Sequence, residues 1–225
     1  MRIGIFTGGE HAKTKIVKTF LAKSPLDYII AADSGLEKTD KLNLKLDLII
    51  GDFDSLNDTS LLDKYKNAKI EVFPEDKDFT DTELAMNVAT KKADKGKDEI
   101  VIFGAGGCER IDHLIYFLRI FENDFPPTVW LFNSGIAFCL SAEIKNTLEL
   151  KLPKKTTISV FNINSQNQLA KSPAPKLLSK GLHWELNFLD WNKFCSISNR
   201  NDKENISFQV KSGRFLVIIN SHNIF

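Results

Sequence analysis

The chain has 225 residues, 43% of them hydrophobic and 26% charged, with a formal net charge of +1. At roughly 150 residues per domain this is one large domain or two small ones with enough apolar content for a substantial core. Disorder, a collagen-like repeat and a coiled coil are excluded, and no apolar run approaches the roughly 20 residues of a membrane helix.

In chain order, the first predicted strand is Arg2 to Phe6, ending in Thr7-Gly8-Gly9, and a helix follows over Lys13 to Lys23. Strand Tyr28 to Ala31 runs into Ala32-Asp33-Ser34-Gly35 and a short helix over Leu36 to Lys41. Strand Leu46 to Ile50 delivers Gly51-Asp52-Phe53-Asp54-Ser55 ahead of a helix over Thr59 to Lys66. Strand Lys69 to Phe73 leads through Pro74 to Asp76-Lys77-Asp78-Phe79-Thr80-Asp81, where a helix begins that reaches Lys92. Asp81 and Glu83 in its first turn suit the helix dipole. Strand Glu99 to Phe103 opens onto Gly104-Ala105-Gly106-Gly107-Cys108-Glu109-Arg110-Ile111-Asp112-His113, with a helix over Ile111 to Glu122 and a last strand over Thr128 to Phe132. This alternation predicts a Rossmann-like, mostly parallel α/β domain over residues 1–135.

After Ser134-Gly135 the text changes to strand-like runs without an amphipathic helix. Thr156 to Ile163, Leu182 to Phe188, Ile206 to Val210 and Phe215 to Ile219 predict an antiparallel β-sandwich domain over residues 136–225, with a loop over Asn164 to Ser179. Residues 1–140 hold 18 Lys and Arg against 23 Asp and Glu, a balance of −5, and residues 141–225 hold 12 against 6, a balance of +6. The basic half scatters its lysines and does not group them beside aromatics, so nucleic-acid binding is not expected. Cys108, Cys139 and Cys195 show neither a disulfide framework nor metal-ligand spacing. The amino-terminal apolar stretch is too short for a secretory signal, and the expected location is a reducing cytoplasm.

Ligands of open α/β sheets bind outside the carboxyl ends of the strands. Five successive strand ends here bring Gly, Asp, Lys and Arg to one edge. Asp52 and Asp54, two apart in a segment expected to be extended, would project to one side while Phe53 turns into the core. Two carboxylates on one side can hold a cation, and Mg2+ takes one or two carboxylates with water and substrate phosphates. Asp33, Asp78 and Asp81 add to that acidic edge. Lys77 and Arg110 match phosphate oxygens, one as a mobile point charge and the other as a fork. The glycines at 8, 9, 104, 106 and 107 would let the backbone approach phosphate, although neither a P-loop nor a dinucleotide fingerprint occurs. His113 reads as a general base or as a capping residue. Cys108 has no partner that would make it a nucleophile, and Trp184 and Trp191 read first as core aromatics.

The blocks Ala32 to Gly35, Gly51 to Ser55, Lys77 to Asp81 and Arg110 to His113, in this order and spacing, resemble the thiamine pyrophosphokinase (thiamine diphosphokinase) family. Gly181-Leu182-His183-Trp184 and Ser196-Ile197-Ser198-Asn199 are similar to that family's carboxy-terminal segments. The resemblance implies transfer of a pyrophosphoryl group from ATP to thiamine, giving thiamine diphosphate and AMP, with Mg2+. It also implies a homodimer whose thiamine site lies between subunits. Position by position, Asp52, Asp54, Asp78 and Asp81 would form the acidic metal site, and Asp33, Ser55, Lys77, Thr80, Arg110 and Asp112 would bind nucleotide or position the alcohol. Ser198 and Asn199 would face thiamine, with Trp184 as a stacking candidate. Asp81 or Asp112 would accept the alcohol's proton. Cys108 and Glu109 stand between Gly107 and Arg110, where the family reads Gly-Gly-Arg directly. The alternatives are a pyrophosphokinase acting on another alcohol, such as a pterin, and a non-catalytic nucleotide-binding module.

Overall fold

A computed structural model describes residues 1–107, 110–164 and 173–223. Cys108 and Glu109 lie outside the described residues, as does half of the predicted loop over Asn164 to Ser179. The chain divides into two compact units, residues 1–120 with 130–133, and residues 121–129 with 134–225.

In the first unit, strands β1 (Arg2–Phe6), β2 (Tyr28–Ala32), β3 (Leu48–Gly51), β4 (Lys69–Val72), β5 (Glu99–Phe103) and β6 (Val129–Phe132) stand in the order β6-β5-β1-β2-β3-β4. The pairs β5-β1, β1-β2, β2-β3 and β3-β4 are parallel. Near-continuous apolar runs are what a parallel sheet covered on both faces requires, and Ile3, Ile5, Phe6, Ile30, Ile49 and Phe103 are fully buried. The Phe6 and Phe103 rings stack at 4.3 Å across the β1-β5 pair. Helices α1 (Thr14–Lys23), α2 (Gly35–Leu42), α3 (Ser60–Lys64), α4 (Asp81–Lys92) and α5 (Ile111–Leu118) link the strands, and the predicted end of α5 is a separate 3-10 turn at Arg119–Glu122. The chain moves outward from β1 to β4 and then returns to place β5 on the other side of β1. The strand order therefore reverses between β1 and β5, the place where open α/β sheets form their binding crevice.

The second unit holds two antiparallel sheets. One is ordered β11-β9-β13-β7, from β7 (Gly135–Ser141), β9 (Thr157–Asn162), β11 (Ser196–Arg200) and β13 (Arg214–Ile219); the other is β10-β12-β8, from β8 (Thr147–Lys151), β10 (Lys176–Lys180) and β12 (Asn205–Ser212). Contacts between β12 and β7 bring the two sheets together, and their inner positions, among them Leu177, Phe208, Val160 and Val217, are buried as a sandwich requires.

Two expectations change here. Leu182 to Phe188 is no strand: the Glu185 carboxylate accepts the Gly181 and Leu182 N–H groups at 2.7 and 3.2 Å and the Ser179 hydroxyl at 2.5 Å, which curls the segment into a turn. Lys176–Lys180, expected within a loop, pairs with β12 instead. No helix among the described residues is long and apolar enough to cross a membrane.

Asn201, 0% exposed, braces this unit. Its Oδ1 accepts the Thr156 N–H at 2.8 Å and its Nδ2 donates to the Lys203 and Pro153 carbonyls at 2.8 and 3.0 Å. Asn201→Ala would strand these backbone groups, and is expected to cost about 2–4 kcal/mol in urea unfolding. A loss under about 0.5 kcal/mol would show that water replaces the amide.

Candidate active site

The strand ends of the first unit surround a cavity of about 780 Å³ lined by residues that follow β1, β2, β3, β4 and β5. Asp33, Asp52 and Asp54 place one carboxylate oxygen each within 4.8 Å of the others. They do so by turns and not by an extended strand, which corrects the sequence expectation. Asp33 and Phe53 both adopt left-handed backbone, with φ of 47° and 63°. The chain thus bends back at Phe53, whose ring packs against the Ile49, Leu56 and Leu61 cluster while both carboxylates stay at the site. Gly51 leaves room for this approach, since a Cβ there would stand 3.3 Å from Asp33.

Lys77 supplies the compensating charge. Its ammonium donates to Asp52 Oδ2 and lies 3.3 Å from Asp81 Oδ1. Burial pushes the Asp52 carboxyl up, but the hydrogen bonds from Lys77 and Asp54 and the Lys77 charge together outweigh it and hold Asp52 below the usual carboxylate range. Asp81 is half-buried and raised, first by burial and then by the charge of Asp52. Asp33, only 9% exposed, is raised by burial first, with the Asp54 and Asp52 charges adding to it. Its Oδ1 is buried with no hydrogen-bond partner among the described residues. An orphaned carboxylate oxygen beside two further carboxylates fits a hard divalent cation such as Mg2+, which takes oxygen ligands.

The remaining expected residues divide. Ser55 lines the cavity and donates to Asp54 Oδ1 at 2.9 Å. Thr80 also lines it, with its hydroxyl occupied in a reciprocal cap with Glu83 that starts α4 and so aims Asp81. Arg110 and His113 line the cavity, and Arg110 grips Asp112 with both arms of its fork, at 3.1 and 2.8 Å. That grip holds the exposed Asp112 carboxyl down at about 2. Asp112 itself does not line the cavity, and exposed Asp78 neither lines it nor joins the carboxylate cluster.

In the second unit Asn199, 1% exposed, spends its amide on the scaffold: Nδ2 donates to the Trp184 carbonyl at 2.8 Å, and Oδ1 accepts the Arg200 N–H at 2.8 Å. Exposed Ser198 stands at a bulge in β11 with φ of 55°. Trp184 is 57% exposed with the Arg200 guanidinium 5.3 Å from its ring, whereas Trp191 is buried against Phe215.

Sequence reasoning overlooked Glu10, Thr82, Glu83 and Tyr116, which also line the cavity. The Thr7 hydroxyl meets that of Thr82 at 2.5 Å, and Tyr116 donates to Glu83 Oε1 at 2.9 Å, so β1, α4 and α5 are tied together around the site. The positions directly after β1 and at the start of α4 were open to inspection as strand-end and helix-start residues, but nothing in their spacing set them apart.

The family model described as thiamin pyrophosphokinase, catalytic domain, matches residues 20–126. No curated protein matches by sequence. Among solved structures, the thiamin pyrophosphokinase family protein from Enterococcus faecalis is similar with a TM-score of 0.70 at 22% identity, over 98% of this chain and 99% of that one. The thiamine pyrophosphokinase from Bacillus subtilis gives 0.72 at 18% identity, over 98% and 99%. The thiamin pyrophosphokinase from Candida albicans gives 0.67 at 15%, over 98% and 90%. At these identities the likeness is one of fold.

A raised Asp33 has a measurable consequence. A carboxyl whose folded pKa exceeds its unfolded value stabilises the fold fully below the unfolded pKa, and that contribution is lost as pH rises through the folded one. Asp33→Asn, which tolerates the left-handed backbone, is therefore expected to raise Tm at pH 7 and to give no gain at about pH 3, where Asp33 is already neutral. A lower Tm at pH 7 would refute the burial penalty.

Proposed function

We propose, from the premise that this chain belongs to the thiamin pyrophosphokinase family through residues 20–126, that it transfers a pyrophosphoryl group from ATP to the hydroxyethyl alcohol of thiamine, giving thiamine diphosphate and AMP. The observation that carries the reading is the close set of Asp33, Asp52 and Asp54 oxygens beside the Lys77 ammonium in one cavity. Transfer to an alcohol asks the protein for positioning and for neutralisation of developing charge, and little covalent chemistry.

In this proposal Asp33, Asp52 and Asp54 hold Mg2+. When bound, the ion neutralises charge on the phosphoryl oxygens. Lys77 and Arg110 take the remaining phosphate charge, Lys77 by leaving the carboxylates it now pairs with. The alcohol attacks the β-phosphorus, its proton passes to a carboxylate, and AMP leaves. Of the two candidates for that proton, Asp81 is favoured: it lines the cavity with a raised pKa, whereas Asp112 is exposed and held at about 2 by Arg110. Asp78 is left without a ligand role.

Thiamine recognition by Ser198 and Trp184, with Asn199 shaping the Trp184 turn, belongs to the same proposal. So do a homodimer with the thiamine site between subunits and a cytoplasmic location. The domain reading, an ATP- and metal-binding catalytic domain over 1–135 and a thiamine-binding sandwich over 136–225, is proposed with them.

Asp52→Ala and Asp54→Ala are expected to lower AMP release with thiamine and Mg·ATP by on the order of 100-fold or more, with circular dichroism unchanged. Arg110→Ala is expected to lower kcat/KM for ATP by on the order of 10- to 100-fold, and Arg110→Lys to restore little, because a point charge does not replace a fork. Near-normal turnover in either aspartate variant at saturating Mg2+ would refute the assignment.

A further inference from the structure

The glycines after β1 and β5 were expected to bring bare backbone to phosphate. The space they leave is already occupied by protein. A Cβ at Gly106 would stand 2.6 Å from Asn133 Oδ1, and one at Gly107 would stand 2.9 Å from Glu10 Cγ and 3.0 Å from Glu10 Oε1. At Gly104 it would meet the His11 ring at 2.5 Å, and at Gly8 the Ser34 hydroxyl at 2.9 Å. The two loops are also zipped to each other: Ala105 N–H donates to the Gly8 carbonyl at 2.8 Å, Glu10 N–H to Gly106 at 2.9 Å, and Gly106 N–H to Glu10 at 3.2 Å. The Ala105, Gly106 and Glu10 N–H groups are committed to this ladder and the Gly104 N–H to the Leu131 carbonyl at 3.1 Å, while Gly106 and Gly107 leave the room that the Asn133 and Glu10 side chains fill.

Glu10 lines the cavity at the reversal of strand order between β1 and β5. Asn133, directly after β6, donates its amide to Glu10 Oε2 and fixes the carboxylate. Among the described residues no lysine or arginine pairs with Glu10, and its Oε1 accepts no hydrogen bond. A fixed, uncompensated carboxylate repels phosphate and accepts only from donors. The part of a nucleotide that offers two neighbouring O–H donors and no charge is the ribose diol, and acidic side chains read ribose hydroxyls in this way at the edge of related sheets. The spacing is consistent. β1 stands one strand from β2, which ends at Asp33, and two from β3, which ends at Asp52 and Asp54. The Glu10 side chain, however, reaches over the ends of β5 and β6, where Gly107 and Asn133 hold it, and β5 stands two strands from β2 and three from β3. At about 4.8 Å per strand the carboxylate lies roughly 10–15 Å along the edge from the acidic cluster, a separation for the whole extended triphosphate to bridge.

We propose that Glu10, anchored by Asn133 at the junction of the two glycine-containing loops, accepts the ribose hydroxyls of the nucleotide and selects ribonucleotides over deoxynucleotides. This rests on the pyrophosphokinase reading for the identity of the nucleotide.

Two measurements separate the claims: equilibrium binding of ATP, 2′-deoxyATP and 3′-deoxyATP by calorimetry, and AMP or deoxyAMP release from each with thiamine and Mg2+. The natural chain is expected to favour ATP over at least one deoxynucleotide by about 10-fold or more in Kd and KM, the loss for one charge-assisted hydrogen bond. Glu10→Gln is expected to reduce that preference to within about three-fold in both Kd and KM. Asn133→Ala, which frees the carboxylate without removing it, falls between. Equal binding of all three nucleotides, or full preference retained in Glu10→Gln, overturns the ribose assignment and leaves the pyrophosphokinase reading standing. Preference in binding with no turnover supports the ribose assignment and overturns that reading. No nucleotide binding overturns both.

Discussion

Three carboxylates within 4.8 Å, in a cavity where Asp33 and Asp52 have little access to water, are an unfavourable arrangement that the rest of the first unit sustains. Like charges at that separation oppose ionisation, and burial adds to the opposition. The raised Asp33 and Asp81 register this strain, while Lys77, bonded to Asp52 and near Asp81, relieves part of it. The backbone bears its own share, with Asp33 and Phe53 in left-handed conformations that only surrounding structure would maintain. The rigid parallel strands behind them, buried on both faces, provide that structure. A site under such opposition gains when a divalent cation neutralises its carboxylates and leaves Lys77 to meet phosphate, which is the exchange that phosphoryl-group transfer exploits.

The edge therefore divides electrically. Beyond β2 and β3, carboxylates with Lys77 form the part suited to metal and phosphate. Beyond β1 and β5, the loops close on each other and carry Glu10. Arg110, clasped by Asp112 at the start of α5, lines the same cavity. Asp112 takes only the Nε and Nη2 donors of Arg110, and the exposed ion pair is a holding position of small intrinsic worth.

The first unit was legible because parallel strands covered on both faces are written as unbroken apolar text: Ile-Gly-Ile-Phe, Tyr-Ile-Ile-Ala-Ala and Ile-Val-Ile-Phe each became a strand. The carboxylates after β2 and β3 were legible for the same reason, since the end of a strand locates the residues directly beyond it. Their geometry was not, because the bend at Phe53 depends on its ring finding the Ile49 cluster, a tertiary contact. The second unit was read less well. Thr147–Lys151, Lys176–Lys180 and Ser196–Arg200 are short, with lysine or serine at their ends, and edge strands of this kind lack the run that marks a buried one. Leu182 to Phe188 carries strand-like residues, yet the Glu185 carboxylate captures three donors locally and makes a turn. Asn199 was singled out by its motif, but its role in holding the Trp184 turn could not be read from residue type.

The central claim is that the cavity directs an alcohol to the β-phosphorus of ATP, and isotopic position tests it most directly. Incubation with thiamine, Mg2+ and ATP carrying 32P at the β position is expected to move the label into thiamine diphosphate, with one unlabelled AMP released for each molecule formed. Label retained in ADP, or no labelled thiamine product under saturating conditions, would contradict the account.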